Sequence, residues 1–189
     1  SIDSLYKKLD QLKEGDILVL AGSIPNTLPE DMYEKIISYL SNKGIKFIVD
    51  ATKNLLVNVL KYHPFLIKPN NHELEEIFNI KLNGEEDIIK YAKKLQDMGA
   101  LNVLISLAGD GAILLTEDGQ ILKNKAPKGE VKNSVGAGDS MVAGFTAGYI
   151  KEKDYRYALK LGIATGSASA FSEDLATKEK IEEIFNNLS

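Results

Sequence analysis

Short apolar runs that alternate with stretches of helical periodicity are the feature that most limits how this chain can fold. Each run is bounded by Gly, Pro, Asn or Asp, as buried strands are. The four runs are Ile17–Leu20, Lys46–Val49, Phe65–Ile67 and Val103–Leu107. Parallel strands need a crossover connection, and a helix is the usual one. The alternation therefore predicts an α/β fold, with a parallel sheet covered by helices on both faces.

Helical periodicity is clearest in Glu30–Asn42, where apolar residues recur on one face and Gly44 follows as a stop. The chain also opens with an amphipathic, helix-like stretch. Further helices are predicted over Leu55–Tyr62, Glu73–Phe78, Glu85–Met98, Asp139–Lys151, Tyr155–Phe171 and Thr177–Leu188. The turn Glu117-Asp118-Gly119 separates Ala112–Thr116 from Gln120–Lys125 and predicts a short antiparallel hairpin at one edge of the sheet.

Composition excludes several classes of protein. With 189 residues and no linker or repeat, the chain corresponds to one globular domain. It has no cysteine and only two histidines, so neither a disulfide framework nor the usual zinc sites can form. The net charge of −4, without a basic stripe, argues against nucleic acid as a partner. No apolar run approaches the ~20 residues of a membrane span, and we expect a cytoplasmic protein with no membrane partner.

The Gly-rich run before the predicted helix at 139–151 contains the strongest candidates for functional residues. Gly136, Ala137 and Gly138 carry almost no side chain, so their backbone N–H groups can face an anion at the start of a helix. Asp139 follows them as a lone charge among neutral residues. An N-terminal cap would also explain an Asp at this position. A cap does not need the small residues before it, and the combination favours a phosphate site with a general base.

Three other strand ends carry polar residues with two interpretations each. Asn70 and Glu73 follow a buried run, where open α/β sheets bind ligands, but their spacing equally suits a capping box. The Gly-rich turn Ser106–Gly111 leads into the predicted hairpin and by itself needs no ligand. Asp50 ends the second run, either as a loop cap or as a residue that faces substrate.

Five segments, taken together, resemble one known family. SVGAGDSMVAGF, around Asp139, resembles the C-terminal signature of the ribokinase-like (PfkB) carbohydrate kinases and is most similar to that of the bacterial 1-phosphofructokinases. GSIPNTLP, VDATKNLL, KPNNHELEEIF and SLAGDGAI precede it in the family's order. The resemblance covers essentially the whole chain and implies a ribokinase-like three-layer α/β/α fold. It also implies that residues 1–189 are the C-terminal nucleotide-binding and catalytic portion of the kinase domain, without the family's N-terminal part and small β lid.

The resemblance further implies a reaction. ATP, assisted by Mg²⁺, would phosphorylate D-fructose 1-phosphate to fructose 1,6-bisphosphate, so the partners are a sugar phosphate and ATP. Asp139 would be the catalytic base that accepts the proton of the sugar hydroxyl. The backbone amides of Gly136, Ala137 and Gly138 would form the anion hole for the transferred phosphoryl group. A homodimer of the full-length enzyme is an expectation of the same kind.

The remaining site residues also follow from the resemblance. Asn70 and Glu73 would organise Mg²⁺ and the nucleotide phosphates, mainly through water. The turn residues Ser106, Gly109 and Gly111 would lie along ATP. Asp50 is placed near the sugar phosphate as a supporting residue. Within the turn, Ala108 stands where many members of the family have Gly.

Two alternatives stay open at this point. One is a tagatose-6-phosphate kinase of the same fold, because the residues that recognise the sugar lie mostly outside this portion of the family. The other is a catalytically silent nucleotide-binding domain, against which the intact Gly-Ala-Gly-Asp frame argues. The chain contains no Gly-x-x-x-x-Gly-Lys-Ser/Thr sequence, so the phosphate site is not a P-loop.

Overall fold

A computed structural model describes all residues, 1–189, as eight helices and one six-stranded sheet. The strands are β1 (Ile17–Ala21), β2 (Lys46–Asp50), β3 (Leu66–Ile67), β4 (Asn102–Ser106), β5 (Ala112–Leu115) and β6 (Ile121–Asn124). The helices are α1 (Ile2–Leu9), α2 (Met32–Leu40), α3 (Lys53–Val59), α4 (Asn71–Phe78), α5 (Glu85–Asp97), α6 (Ala137–Glu152), α7 (Tyr155–Ala170) and α8 (Lys178–Asn187). No helix is long and apolar enough to cross a membrane.

The sheet follows the order of the chain from β1 to β6. The first four strands are parallel, and β5 and β6 are antiparallel to their neighbours. This confirms the predicted parallel sheet with an antiparallel hairpin at one edge. The run predicted over Phe65–Ile67 contributes only the two-residue strand β3, which nevertheless joins β2 to β4.

Two apolar cores, one on each face of the sheet, hold the three layers together. Along β2, Phe47 and Val49 pack under α1–α5, whereas Ile48 packs under α6–α8. The side chains of a strand alternate between faces, so a strand buried on both sides must be apolar throughout. This requirement explains the continuous apolar runs of the sequence.

Helices α6 and α7 pack closely because small residues line their contact. A Cβ added at Gly144 would overlap the hydroxyl of Thr165, and one at Gly148 would lie 3.0 Å from the Cα of Ala158. The helix axes can therefore approach closely, and this contact fixes where the first turn of α6 stands against the sheet. Ala143 and Ala147, on the same helix, are exposed and take no part in this packing.

Candidate functional site

The carboxyl ends of the parallel strands bring the predicted site residues to one edge of the sheet. Asp50 is the last residue of β2, and Ser106 is the last residue of β4. Between them, Asn70 follows β3 and makes an isolated parallel bridge to Ser106. Ligands of open α/β sheets bind at this edge, because the strands end there and the following loops diverge.

Asp139 is the third residue of α6, not its cap. The helix begins two residues earlier than predicted, with Gly136 at the N-cap in the left-handed region (φ 81°). Only glycine adopts that conformation without strain, which explains a glycine before this helix. Asp139 is exposed and accepts no hydrogen bond from its own helix. Its carboxylate is therefore available to an incoming ligand, and the capping interpretation loses its support.

The first turn of α6 presents amides that have no partner within the chain. The N–H groups of Gly136, Gly138 and Asp139 make no backbone hydrogen bond, whereas that of Ala137 donates to the carbonyl of Ser134 at 3.3 Å. Unpaired amides at a helix N-terminus carry partial positive charge and attract anions. Two of the three expected anion-hole residues thus offer a free amide, and Asp139 adds a third.

Lys68 is a site residue that the sequence analysis missed. Its side chain is only 7% exposed, and its Nζ lies 3.6 Å from Oδ1 of Asp50. The same Nζ is 3.1 Å from the place that a Cβ of Gly138 would occupy, so the ammonium lies directly against the first turn of α6. The only signal in the sequence was a lysine directly after the apolar residues Phe65–Ile67, and it was weak, because a lysine at a strand end usually reaches solvent.

Lys68 and the first turn of α6, residues 136–139, form what we call the anion corner. Its electrostatics favour the binding of an anion. The ammonium of Lys68 and the positive end of α6 lie side by side, and they repel each other unless negative charge lies between them. Burial raises the pKa of Asp50, Lys68 opposes that rise, and the nearby carboxylate of Asp139 adds to it. The two carboxylates thus lie close enough to interact, with Lys68 beside one of them and Gly138 next to the other in the chain.

Asn70 and Glu73 form a complete capping box at the start of α4. The Glu73 amide donates to Oδ1 of Asn70 at 2.8 Å, and the Asn70 amide donates to Oε1 of Glu73 at 3.1 Å. The capping interpretation is therefore correct in geometry. It leaves the second carboxylate oxygen of Glu73 without a hydrogen bond in the chain, so capping and ligand binding do not exclude each other.

The donor set around Glu73 suits Mg²⁺ held largely through water. No group of three or more His, Cys or acidic residues could enclose a metal ion. Mg²⁺ keeps several waters and needs only one or two carboxylates when substrate phosphates supply the remaining ligands. Glu73, with Asn70 beside it, offers one such carboxylate at the edge where the anion corner lies.

The backbone geometry of the turn after β4 explains the residue preference at two of its positions. A Cβ at Gly111 (φ 95°) would overlap the carbonyl oxygen of Asn124, so the hairpin itself requires glycine there. Ala108 takes a left-handed conformation (φ 49°), which accounts for a preference for glycine at this position. Gly109 has open space around it and lines an open groove of about 760 Å³ between the turn and β6. Within the turn, Leu107, Gly109 and Asp110 line this groove.

Replacing Glu73 by Gln separates the two roles of this side chain. Gln keeps an oxygen that can accept from the Asn70 amide, so we expect the free energy of unfolding to fall by no more than about 1 kcal/mol. The lost charge should raise the Mg²⁺ concentration that half-maximal ATP binding requires several-fold. Calorimetric ATP titrations at a series of Mg²⁺ concentrations measure this shift.

Glu76→Gln is the matched control, because it removes the same charge from the exposed side of the same helix. It should leave the Mg²⁺ requirement unchanged. A loss of stability in Glu73→Gln with an unaltered Mg²⁺ requirement would mean that the residue only caps α4.

Comparison with known proteins relates these features to one group of enzymes. A family model described as pfkB family carbohydrate kinase matches residues 2–181. A 1-phosphofructokinase of Bacillus subtilis is 45% identical over 181 residues, which cover 96% of this chain and 59% of the relative. A D-tagatose-1-phosphate kinase of Bacillus licheniformis is 38% identical over 180 residues, with coverages of 95% and 59%. The chain thus spans about three fifths of the length of these curated relatives.

Solved structures show the same architecture. The phosphofructokinase-2 of Escherichia coli, crystallised with substrates and products, superposes with a TM-score of 0.92 at 28% identity, over 99% of this chain and 62% of that one. An Arabidopsis thaliana ribokinase, complexed with ribose and ATP, gives a TM-score of 0.80 at 18% identity, with coverages of 98% and 59%. The second likeness concerns the fold alone. Together they confirm the expected ribokinase-like three-layer fold.

Proposed function

Because this chain belongs to the PfkB family of carbohydrate kinases, we propose that it is the nucleotide-binding and catalytic part of an enzyme that transfers the γ-phosphoryl group of ATP to D-fructose 1-phosphate. One observation carries this proposal. The amides of Gly136 and Gly138 are free, the ammonium of Lys68 lies against Gly138, and the exposed carboxylate of Asp139 follows Gly138 in the chain. Phosphoryl transfer needs positioned positive charge next to a base, and little else from the protein.

In the proposed reaction, Asp139 accepts the proton of the sugar's 6-hydroxyl group. The hydroxyl oxygen then forms a bond to the γ-phosphorus, while the bond from that phosphorus to the β–γ bridging oxygen breaks and ADP leaves. The amides of Gly136, Gly138 and Asp139 bind the equatorial oxygens of the group in transfer, and Lys68 adds a full positive charge beside them. The expected contribution of Ala137 is steric, since its amide is engaged with Ser134.

Binding of the nucleotide involves the neighbouring strand ends. When bound, Mg²⁺ would neutralise charge on the ATP phosphates, and the free oxygen of Glu73, with Asn70, would hold its water ligands. Ser106 stands between this pair and the turn that follows β4. The groove beside Gly109 is the space where the rest of the nucleotide would lie.

The sugar substrate is the part of the proposal that most needs a test. Relatives are named for fructose 1-phosphate and for tagatose 1-phosphate, two ketohexose phosphates that differ only in configuration at C4. Both keep the phosphate at C1 and the free hydroxyl at C6, so the same base and anion corner serve either one. We place fructose 1-phosphate first because the relative named for it is the more similar of the two, at 45% against 38% identity.

A substrate panel tests the proposal directly. ATP-dependent phosphorylation by the enzyme that contains this chain is measured with the 1-phosphates and 6-phosphates of fructose and tagatose. We expect the highest kcat/KM for fructose 1-phosphate. A clear preference for tagatose 1-phosphate would overturn the order of the two 1-phosphates, and a preference for tagatose 6-phosphate would establish the tagatose-6-phosphate kinase left open by the sequence. Binding of MgATP with no transfer to any of the four sugars would instead favour a catalytically silent domain.

A further inference from the structure

The pair formed by Asp50 and Lys68 is unusual because both charges are largely removed from water. The Asp50 side chain is 15% exposed and that of Lys68 is 7% exposed. Burying two opposite charges costs about as much solvation free energy as their attraction returns. A contribution to stability therefore does not explain why this pair is buried. The other ion pairs that join Lys and acidic side chains are all more exposed than this one. A reason for the burial has to be sought in what the ammonium does.

The position of Lys68 is unfavourable without Asp50. Its Nζ lies against Gly138, at the positive end of α6, where a cation is repelled. Asp50 is the only carboxylate within 4.0 Å of the ammonium. Asp50 therefore supplies the attraction that keeps Lys68 under the helix. Without it, the flexible lysine stem would be free to carry the ammonium towards water.

The length of the pair leaves Lys68 free to bind something else. At 3.6 Å, Nζ and Oδ1 form an ion pair but not a hydrogen bond. At most one of the three N–H donors of the ammonium is directed to Asp50, and the others can turn to an oxygen of another group. Gly138 contributes to this arrangement, because any larger side chain would press on the ammonium.

We propose that Asp50 is a positioning residue, which holds the ammonium of Lys68 beside the free amides of α6 and acts on the transferred phosphoryl group only through that lysine. This inference rests on the proposed function. It replaces the expected contact of Asp50 with the sugar phosphate by an indirect role. Lys68 is then in place before any nucleotide binds, and no side chain has to be ordered when the phosphates arrive.

Residue-specific amine labelling tests the positioning step without any activity measurement. Acetylation of each lysine of the 189-residue chain is followed by mass spectrometry. Lys68 should be among the slowest lysines in the wild type, and Asp50→Asn should accelerate its labelling by about tenfold, as expected when a buried group loses its partner. Asp50→Glu, which keeps the carboxylate, should retain most of the protection and also serves if the Asn variant does not fold.

Asp31→Asn provides the matched control. It breaks an exposed Asp–Lys pair, that with Lys35 at 3.2 Å, and should change the labelling of Lys35 less than twofold because this lysine is already half exposed. Lys178, at 84% exposure, serves as the internal reference for reagent activity. Unchanged labelling of Lys68 in Asp50→Asn would overturn the proposal.

A double-mutant cycle tests whether Asp50 acts through Lys68. MgATP affinity is measured by calorimetry for the wild type, Asp50→Asn, Lys68→Met and the double variant. Asp50→Asn alone should weaken binding by about tenfold, and in the Lys68→Met background it should add less than twofold. Effects that multiply would show an independent role of Asp50 and overturn the proposal. If the wild type binds no MgATP, the proposed function fails, while the labelling result still decides whether Asp50 positions Lys68.

Discussion

Asp139→Asn is expected to lower the turnover of phosphoryl transfer by about 10²–10⁴-fold and to leave MgATP affinity within a few-fold of the wild type. Asn has the same shape as Asp but cannot accept the proton of the sugar hydroxyl. Asp139 makes no hydrogen bond to its helix, so the substitution removes no cap and should alter stability little. Because the Asp139 carboxylate makes no hydrogen bond that stabilises the fold, its replacement should affect the chemical step alone.

The test compares steady-state turnover and MgATP affinity in an enzyme form with measurable wild-type activity. Asp3→Asn is the matched control, because Asp3 is also an exposed aspartate in the first turn of a helix. It should leave turnover unchanged. Turnover of Asp139→Asn within a few-fold of the wild type would rule out Asp139 as the base. Loss of MgATP binding together with turnover would indicate a role in the anion site instead.

Lys68→Met is expected to lower turnover by about 10²–10³-fold, the effect of removing one donor from a site that stabilises charge in the transition state. Met keeps the unbranched stem of lysine and fills nearly the same buried space, so packing changes little. The amides of Gly136 and Gly138 remain and should support residual transfer. Both turnover and MgATP affinity should fall, because in the proposed site the ammonium faces the nucleotide phosphates in the ground state as well.

Lys46→Met is the control for Lys68→Met. Lys46 is also partly buried, but it is the first residue of β2. It therefore lies at the amino ends of the parallel strands, away from Lys68, with its ammonium over the ring of Phe65. Its loss should lower stability slightly and leave turnover unaffected. Equal effects of the two substitutions on turnover would show that Lys68 matters only for the fold. The free energy of unfolding, measured by chemical denaturation, separates the two cases.

Much of the fold could be predicted from the sequence because it depends on local patterns. Continuous apolar runs indicated strands buried on both faces, and all four appear where expected to within one residue at each end. The hairpin turn at Glu117–Gly119 was equally clear, since turn residues between two apolar runs leave the backbone few choices. Helix ends were less predictable. The segment 55–62 divides into α3 and a single 3₁₀ turn, Leu60–Tyr62, and α6 begins at Ala137.

The early start of α6 shows how a small shift changes an interpretation. With the helix beginning at 139, Asp139 could have been its cap, whereas in the structure Gly136 has that position. The capping box of Asn70 and Glu73 shows the opposite outcome, because spacing allowed it and the structure contains it. Spacing alone could decide neither case, since a cap depends on backbone angles and hydrogen-bond geometry that residue order only permits.

The sequence by itself determined the layers, the hairpin and the Gly-Ala-Gly-Asp corner, because each depends on neighbours in the chain. Only the tertiary structure placed Lys68 between Asp50 and Gly138. These three residues belong to β2, the loop after β3 and α6, and nothing in their local patterns links them. Their proximity results from the parallel order of β2 and β3 and from the close contact of α6 with α7. Charges placed together in this way interact strongly because packing has excluded water from between them.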